Sequence, residues 1–315
     1  MQRQESAFAA KSAASVEIII NAHSGWTDQE ELRNKLESLF GASNLDARIR
    51  LARDGRELDE LARRAVAGES HTIVAGGGDG TVSTIANAIV GTGKTLGILP
   101  LGTLNHFARD LHIPIELEEA ARTVILGHTK QVDIGEVNGH FFINNTSLGL
   151  YPNIVRERQK NQRLGFGKWP AFVWAAITVL RRYPFLDVKL SVEGKEIAGR
   201  TPFVFIGNNE YQMERFHIGA RNCLDGGRLS LYMTHRSGRL GLVWMAWRAL
   251  FGGLRRDRDF TALCSREIWV ETQRKVLRVA MDGEVRALEP PLHYRVHPRE
   301  LRVLVPEETD KIFSL

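Results

Sequence analysis

The chain has 315 residues, 43% hydrophobic and 25% charged, a composition that suits a soluble globular protein with material for one large or two medium cores. Its formal charge of +5, from 42 Lys plus Arg against 37 Asp plus Glu, is too small to single out nucleic acid, an anionic membrane or a phosphorylated substrate, so the placement of charge must decide. Two cysteines without paired spacing, Cys223 and Cys264, argue against a disulfide scaffold and fit a reduced cytoplasmic setting.

Residues 1–15 are polar, rich in Ala and Ser, and lack the apolar run of a signal peptide, so they are expected to be a disordered tail. No stretch approaches the ~18 apolar residues of a transmembrane helix. Residues 16–20 predict a buried strand that ends in the turn Asn21-Ala22-His23-Ser24-Gly25, before a helix over 27–40. A strand over 46–51 follows, then a helix over 56–67 with Leu58, Leu61, Ala62 and Ala65 on one face. Residues 71–74 predict a third strand. It runs into Gly76-Gly77-Gly78-Asp79-Gly80-Thr81, after which Val82, Ile85, Ala86 and Ile89 recur at helical spacing over 82–90. A fourth strand, 96–99, ends in Pro100-Leu101-Gly102-Thr103-Leu104-Asn105. This alternation predicts a mostly parallel sheet covered by helices.

Glycines in the turn before a helix allow close approach, and the helix N-terminus offers N–H groups and a positive dipole end to an anion. Asp79 sits in that turn, where beside phosphate its carboxylate makes sense mainly as a ligand for Mg²⁺. Two such turns after neighbouring strands point to one nucleotide crevice at the strand ends. Two tempting motifs fail. Gly91-Thr92-Gly93-Lys94-Thr95 has Ala88 where a P-loop needs glycine, and it lies between a helix and a strand in the wrong order. The dinucleotide fingerprint fails because Thr81 or Ser83 stands where its third glycine belongs.

A helix is expected over 116–126, and the domain boundary is placed near Thr129. From residue 131 the pattern alternates, with Asn138-Gly139 as a hairpin signal. Strands are expected over 186–192, 197–206, 227–233, 260–271, 276–281 and 301–305, which suggests an antiparallel sandwich. Two apolar segments interrupt it, 168–183 and 240–251, the second followed by Arg255, Arg256 and Arg258. They suit either helices lying in a membrane interface or helices covering a core. His293 and His297 flank a strand-like Tyr-Arg-Val, and no zinc signature or nucleic-acid motif is present.

Gly77-Gly78-Asp79-Gly80-Thr81, followed by Pro100-Leu101-Gly102-Thr103-Leu104-Asn105 and Phe107-Ala108-Arg109, resembles the diacylglycerol kinase catalytic family. That family includes bacterial lipid kinases and sphingosine kinases and is distantly related to NAD kinases. The resemblance runs from Val16 to Glu284. It implies an α/β N-terminal nucleotide-binding domain with a mostly parallel sheet (16–129, with 306–315 as a candidate return to it). A C-terminal antiparallel β-sandwich with helical insertions (130–305) would receive the lipid. Asn21, Ser24 and Gly25 match the family turn on the phosphate side, although Ala22 replaces its proline. Gly77, Gly78, Asp79, Gly80, Thr81, Val82, Ser83, Gly102, Thr103 and Asn105 would bind ATP. Asp79 would ligate Mg²⁺, and Asp225 would serve a structural cation, although Gly226 replaces the second aspartate of the family pair. Asp282-Gly283-Glu284 matches the end of the family's motif set, with Glu284 as the base for the attacking hydroxyl and Asp79 as its alternative. Further departures are Leu51, where a nucleotide-contacting threonine is usual, and His106, where the family has aspartate; His106 would donate to phosphate or cap a turn.

The activity implied is an ATP- and Mg²⁺-dependent transfer of the γ-phosphate to the hydroxyl of diacylglycerol or a similar lipid. The alternatives are an NAD-kinase-like enzyme for a soluble substrate and a non-catalytic lipid- or nucleotide-binding regulator. An apolar cleft between the domains would favour lipid and a polar one a dinucleotide. The expected partners are a lipid substrate and an anionic membrane surface approached peripherally from the cytoplasm, with no nucleic acid and with a homodimer as an option.

Overall fold

The computed structural model describes residues 14–25, 28–43, 45–149, 185–211, 221, 223–234 and 260–307. The chain begins with β1 (Ala14–Asn21), α1 (Gln29–Gly41), β2 (Leu45–Ala52), α2 (Gly55–Ala67), β3 (Thr72–Gly77), α3 (Asp79–Ile89) and β4 (Thr95–Pro100). The first two helices start on side-chain caps. The Asp28 carboxylate accepts from the Glu30 and Glu31 N–H groups, and that of Asp54 from the Glu57 N–H, satisfying donors that a helix start leaves unpaired. Strands β2, β1, β3 and β4 lie side by side in that order, all parallel. Their apolar residues, among them Ile18, Ile20, Ile73, Val74 and Ile98, pack with Leu32, Leu36, Leu61 and Ile85 of the helices into one core.

Next come α4 (His106–Asp110), α5 (Leu117–Leu126), β5 (His128–Val137), β6 (His140–Phe142) and β7 (Asn145–Gly149), then β8 (Leu186–Val192), β9 (Lys195–Thr201), β10 (Phe203–Asn208) and β11 (Leu229–Thr234). The described chain closes with β12 (Phe260–Ser265), β13 (Glu267–Glu271), β14 (Leu277–Met281), β15 (Glu284–Leu288) and β16 (Leu292–Val305). The long β16 joins the two halves. Its end pairs in parallel with β4, its length runs antiparallel to β5, and its start pairs with β13, extending one ten-stranded sheet through β8 to β9. A six-stranded antiparallel sheet, β12-β11-β10-β7-β14-β15, faces that extension. Leu148, Ile206, Leu231 and Val279 of one sheet meet Val188, Leu190, Ile268 and Tyr294 of the other. The fold is therefore an N-terminal α/β unit with a mostly parallel sheet and a C-terminal antiparallel β unit, as expected.

Several element boundaries differ from the sequence reading, each for a local reason. The strand expected over 197–206 is two strands: β9 belongs to the first sheet and β10 to the second, with Pro202 between them. The strand expected over 260–271 likewise changes sheets at Arg266. Both switches use the same device. The Thr201 hydroxyl donates to the Phe203 carbonyl at 2.8 Å, and the Ser265 hydroxyl to the Glu267 carbonyl at 2.7 Å. The strand expected over 301–305 is only the end of β16, which bulges between His297 and Leu301, where Arg299 takes φ +56. The strands β7 and β15 and the helix α4 were not expected. The segments 168–183 and 240–251, the arginines after them, and residues 1–13 and 308–315 lie outside the described residues. Among the described residues no helix is long and apolar enough to cross a membrane.

Glu136, buried at the end of β5, ties that strand to β16. It accepts from Arg295 Nη2 at 3.0 and 2.9 Å, from His297 Nε2 at 2.5 Å, and from the Gly139 N–H of the hairpin at 3.0 Å. Burial alone would raise its carboxyl, but the hydrogen bonds from His297, Arg295 and Gly139 outweigh it and hold it below the ordinary value. Glu136→Gln should therefore cost about 1–2 kcal/mol near pH 7, at the low end for a charged hydrogen bond because Arg295 is half-exposed. A native carboxyl that titrates below its unfolded counterpart stabilises fully above the unfolded value and loses that effect as pH falls through the native one. Urea unfolding of both proteins should thus show a gap that closes on acidification below about pH 4. A gap that persists in acid would assign the loss to packing instead.

Candidate active site

Because β1, β3 and β4 are parallel neighbours, their C-terminal turns come together at one edge of the sheet. Missing side chains let them close. A Cβ on Gly102 would sit 2.4 Å from the Gly78 Cα, one on Gly77 2.3 Å from Thr81 Oγ1, and one on Gly25 2.6 Å from the Leu101 carbonyl oxygen. Gly80 is different. It is exposed, and a Cβ there would meet nothing within 4 Å. Open space thus lies beside the first turn of α3, whose N-cap, Gly78, supplies no side-chain hydrogen bond. A cradle of backbone at an uncapped helix N-terminus suits phosphate oxygens.

Several of the expected binding residues hold the turns to one another. Asn21 Nδ2 donates to Thr81 Oγ1 at 3.2 Å, and the Ser24 hydroxyl donates to the Asn21 carbonyl at 2.5 Å. Asn105, buried and at φ +50, is occupied by its own loop: Oδ1 accepts from the Gly102 N–H at 3.1 Å, and Nδ2 donates to the Pro100 and Gly102 carbonyls. The Val82 side chain belongs to the core, while Thr103 is exposed. Leu51 packs against the first core from the end of β2. His106 is the exposed first residue of α4. Lys94, the lysine of the discarded P-loop match, donates to the Gly68 and Ser70 carbonyls at 2.8 and 2.6 Å.

Asp79 faces α4, its Oδ1 accepting from the Phe107 N–H at 3.1 Å. Four positions along α3, Ser83 reaches the other domain and donates to Asp282 Oδ2 at 2.7 Å. Asp282 also accepts from the N–H groups of Ile143 and Asn144, each at 2.9 Å, and Asn145 at 3.1 Å. Burial pushes its carboxyl above the ordinary value, against the pull of those four donors. The motif's aspartate is thus a clamp between domains, a role that its turn-like sequence did not announce. Its neighbour Glu284 is exposed, 3.6 Å from Arg286. Glu284 and Gly80 line one cavity of about 60 Å³, together with Ser83, Asn87, Phe141 and Met281.

Asp225 is exposed and apart from this cavity's lining. The neighbouring Gly226 N–H donates to Asn209 Oδ1 at 3.0 Å, and the Gly227 N–H to Asp133 Oδ2 at 2.6 Å. A Cβ on Gly226 would lie 2.9 Å from Asn209 Oδ1 and 3.1 Å from Cys223 Sγ, so a second carboxylate has no room without local movement. Among the described residues, no three His, Cys, Asp or Glu side chains are grouped to hold a metal ion. Sequence reasoning also missed Arg221, which is buried and bonded across the domain junction. A lone arginine carries no sequence signal of that kind.

Residues 15–137 match the family described as Diacylglycerol kinase catalytic domain, and residues 150–305 match the YegS C-terminal NAD kinase beta sandwich-like domain. The chain is 27% identical over 252 residues to the diacylglycerol kinase of Bacillus subtilis (strain 168), covering 78% of this chain and 82% of that one. It is 28% identical over 216 residues to the diacylglycerol kinase of Staphylococcus aureus (strain JH9), covering 64% and 68%. The crystal structure of a diacylglycerol kinase from Bacillus anthracis str. Sterne superposes with a TM-score of 0.68 at 20% identity, over 94% of this chain and 98% of that one, and so shares its fold.

The glycines separate two effects that one substitution each can read. Gly102→Ala should lower stability by about 1–3 kcal/mol, because the Gly78 backbone cannot yield. Gly80→Ala should leave stability equal or raise it by up to about 1 kcal/mol, since alanine enters open space in a helix. Calorimetry on the two variants checks this; equal melting temperatures would mean that the turns do not touch.

Proposed function

We propose, for a chain that belongs to the diacylglycerol kinase catalytic family and is a kinase, that it transfers the γ-phosphate of ATP, with Mg²⁺, to the hydroxyl of diacylglycerol or a similar lipid. The observation that carries this reading is that Gly80 and Glu284 line one cavity, although they come from different domains. Phosphoryl transfer to an alcohol needs donors around the phosphates, a cation, and a group to receive the hydroxyl proton. The turns at Gly77–Thr81 and Gly102–Asn105 offer the donors, and Glu284 is the proton acceptor. Asp282 cannot share that task, because four donors already occupy its carboxylate.

ATP supplies the phosphoryl group when bound, and Mg²⁺ supplies charge to it. The residues fit both. A Mg²⁺ that keeps several waters needs only one or two protein carboxylates beside the phosphates. Asp79 can serve as that carboxylate, with only Oδ1 engaged by the Phe107 N–H. The described lining is polar apart from Phe141 and Met281 and carries three carboxylates, Asp59, Asp282 and Glu284, against the one cation Arg286. A phosphate beside it therefore needs the charge of Mg²⁺, and by polarity alone the lining suits a dinucleotide. Acyl chains and an anionic membrane surface would be met by the segments 168–183 and 240–258, on the cytoplasmic side. The curated relatives are named for diacylglycerol, which favours lipid over a dinucleotide substrate.

The substrate is tested with labelled ATP and a panel of diacylglycerol, monoacylglycerol, a sphingoid base, a polyprenol and NAD. Label is expected in diacylglycerol; label in NAD alone would overturn the lipid assignment. The roles are tested kinetically. Glu284→Gln should lower kcat by about 10²–10⁴-fold while ATP affinity stays nearly unchanged. Asp79→Asn should abolish turnover with the fold intact, since an amide oxygen can still accept from Phe107. Full kcat in the first variant would remove Glu284 from the reaction, and full activity of the second in saturating Mg²⁺ would remove Asp79 as the ligand.

A further inference from the structure

Arg221 is a fully buried cation at the junction of the two halves, its side chain 0% exposed. Its guanidinium makes four hydrogen bonds. Nε donates to Asp110 Oδ2 at 2.7 Å, Nη1 to the Ile143 and Asn208 carbonyls at 2.8 and 3.2 Å, and Nη2 to Asn144 Oδ1 at 2.8 Å. Its plane lies over the rings of Phe107 and Tyr211, at 5.7 and 5.5 Å. Four of these contacts lead towards residues of the proposed reaction. Asp110 and Phe107 belong to α4, whose Phe107 N–H holds Asp79. Ile143 and Asn144 are the residues whose N–H groups hold Asp282, two positions before Glu284.

We infer that Arg221 is a positioning residue that sets the separation between Asp79 and Glu284. The inference rests on the roles proposed above for those two carboxylates. A planar guanidinium with donors in a fixed fork can fix two elements relative to each other in a way that an ammonium cannot. It touches neither carboxylate, so it acts only through α4 and through residues 143–144. Loss of the fork would let the two carboxylates drift, and a misplacement of about 1 Å costs on the order of 10²-fold in rate.

The test uses the full chain, ATP and a short-chain diacylglycerol, with the folded fraction of each variant measured by circular dichroism at the assay temperature. Arg221→Lys is expected to lower kcat by about 10²-fold with KM for ATP nearly unchanged. Free guanidinium should restore part of the kcat of Arg221→Gly, where it has space, and none of that of Arg221→Met. In a Glu284→Gln background, Arg221→Lys should add little, because both act on one step. If the Arg221 variants do not fold, Asp110→Asn reads the same connection and should lower kcat at unchanged KM. Wild-type kcat in folded Arg221→Lys or Asp110→Asn, activity that merely follows the folded fraction, or full additivity with Glu284→Gln would overturn the inference. Full kcat in Glu284→Gln alone would instead overturn the proposed base and is read separately.

Discussion

The hydrogen bond from Ser83 to Asp282 is the interaction on which the site depends. It joins residues 199 positions apart in the chain and fixes the middle of α3 to the hairpin that carries Glu284. Its strength comes from completeness. A half-buried residue whose carboxylate accepts three N–H groups and one hydroxyl has its lone pairs satisfied, whereas the same carboxylate with one donor fewer would be a costly buried charge. The three N–H groups belong to consecutive residues, 143–145, so the carboxylate also determines how the chain enters β7. It thereby adds a direct tie between α3 and the Glu284 hairpin to the connection that β16 makes between the two halves.

The N-terminal half was readable because its signals are local. Buried parallel strands are short apolar runs, helices show a 3.6-residue period, and phosphate turns need glycine where backbone meets backbone. Gly78 and Gly102 illustrate the last point, for their Cα atoms leave no space between the two turns. The two-sheet architecture of the second half was readable in kind and not in detail. Alternation survives the passage of a strand from one sheet to the next, so Thr201-Pro202-Phe203 and Ser265-Arg266-Glu267 looked continuous. The polar strand β7, Asn-Thr-Ser-Leu-Gly, lacks the β-branched run that marks a strand, and tertiary pairing on both edges makes it one.

The candidate site was legible as a set of positions, and less so as a set of roles. Asn105 and Ser83 stood in the motifs as groups for a ligand, but their side chains face protein partners. Thr81 and Asn21 likewise bond to each other. Motif spacing carries no information on which member touches a ligand and which holds the loop, because both are needed at the same place. Gly226 shows the converse. Where the family pattern has a carboxylate, this chain has an N–H donating to Asn209, and the Asn209 and Cys223 side chains lie so close that a Cβ there would need them to shift. The substitution is a local repacking, which the absence of one aspartate could not describe.

The junctions and turns of this fold share one construction: a single polar side chain that binds several groups at once. Asp282 takes three N–H groups and a hydroxyl. Arg221 gives to two carbonyls and two side chains. Asp133 accepts from the N–H groups of Gly227 and Arg299, holding the 223–228 segment against the bulge of β16. Asn105 closes its own turn from both its oxygen and its nitrogen. Apolar packing tolerates small slips, because its energy depends on area and changes smoothly. A buried polar group does not, because displacing one partner by an ångström leaves a donor or acceptor unpaired. Such groups therefore contribute little net stability yet select one arrangement. A reaction that must bring a phosphate cradle on one domain to a carboxylate on another needs that selectivity more than it needs additional apolar area.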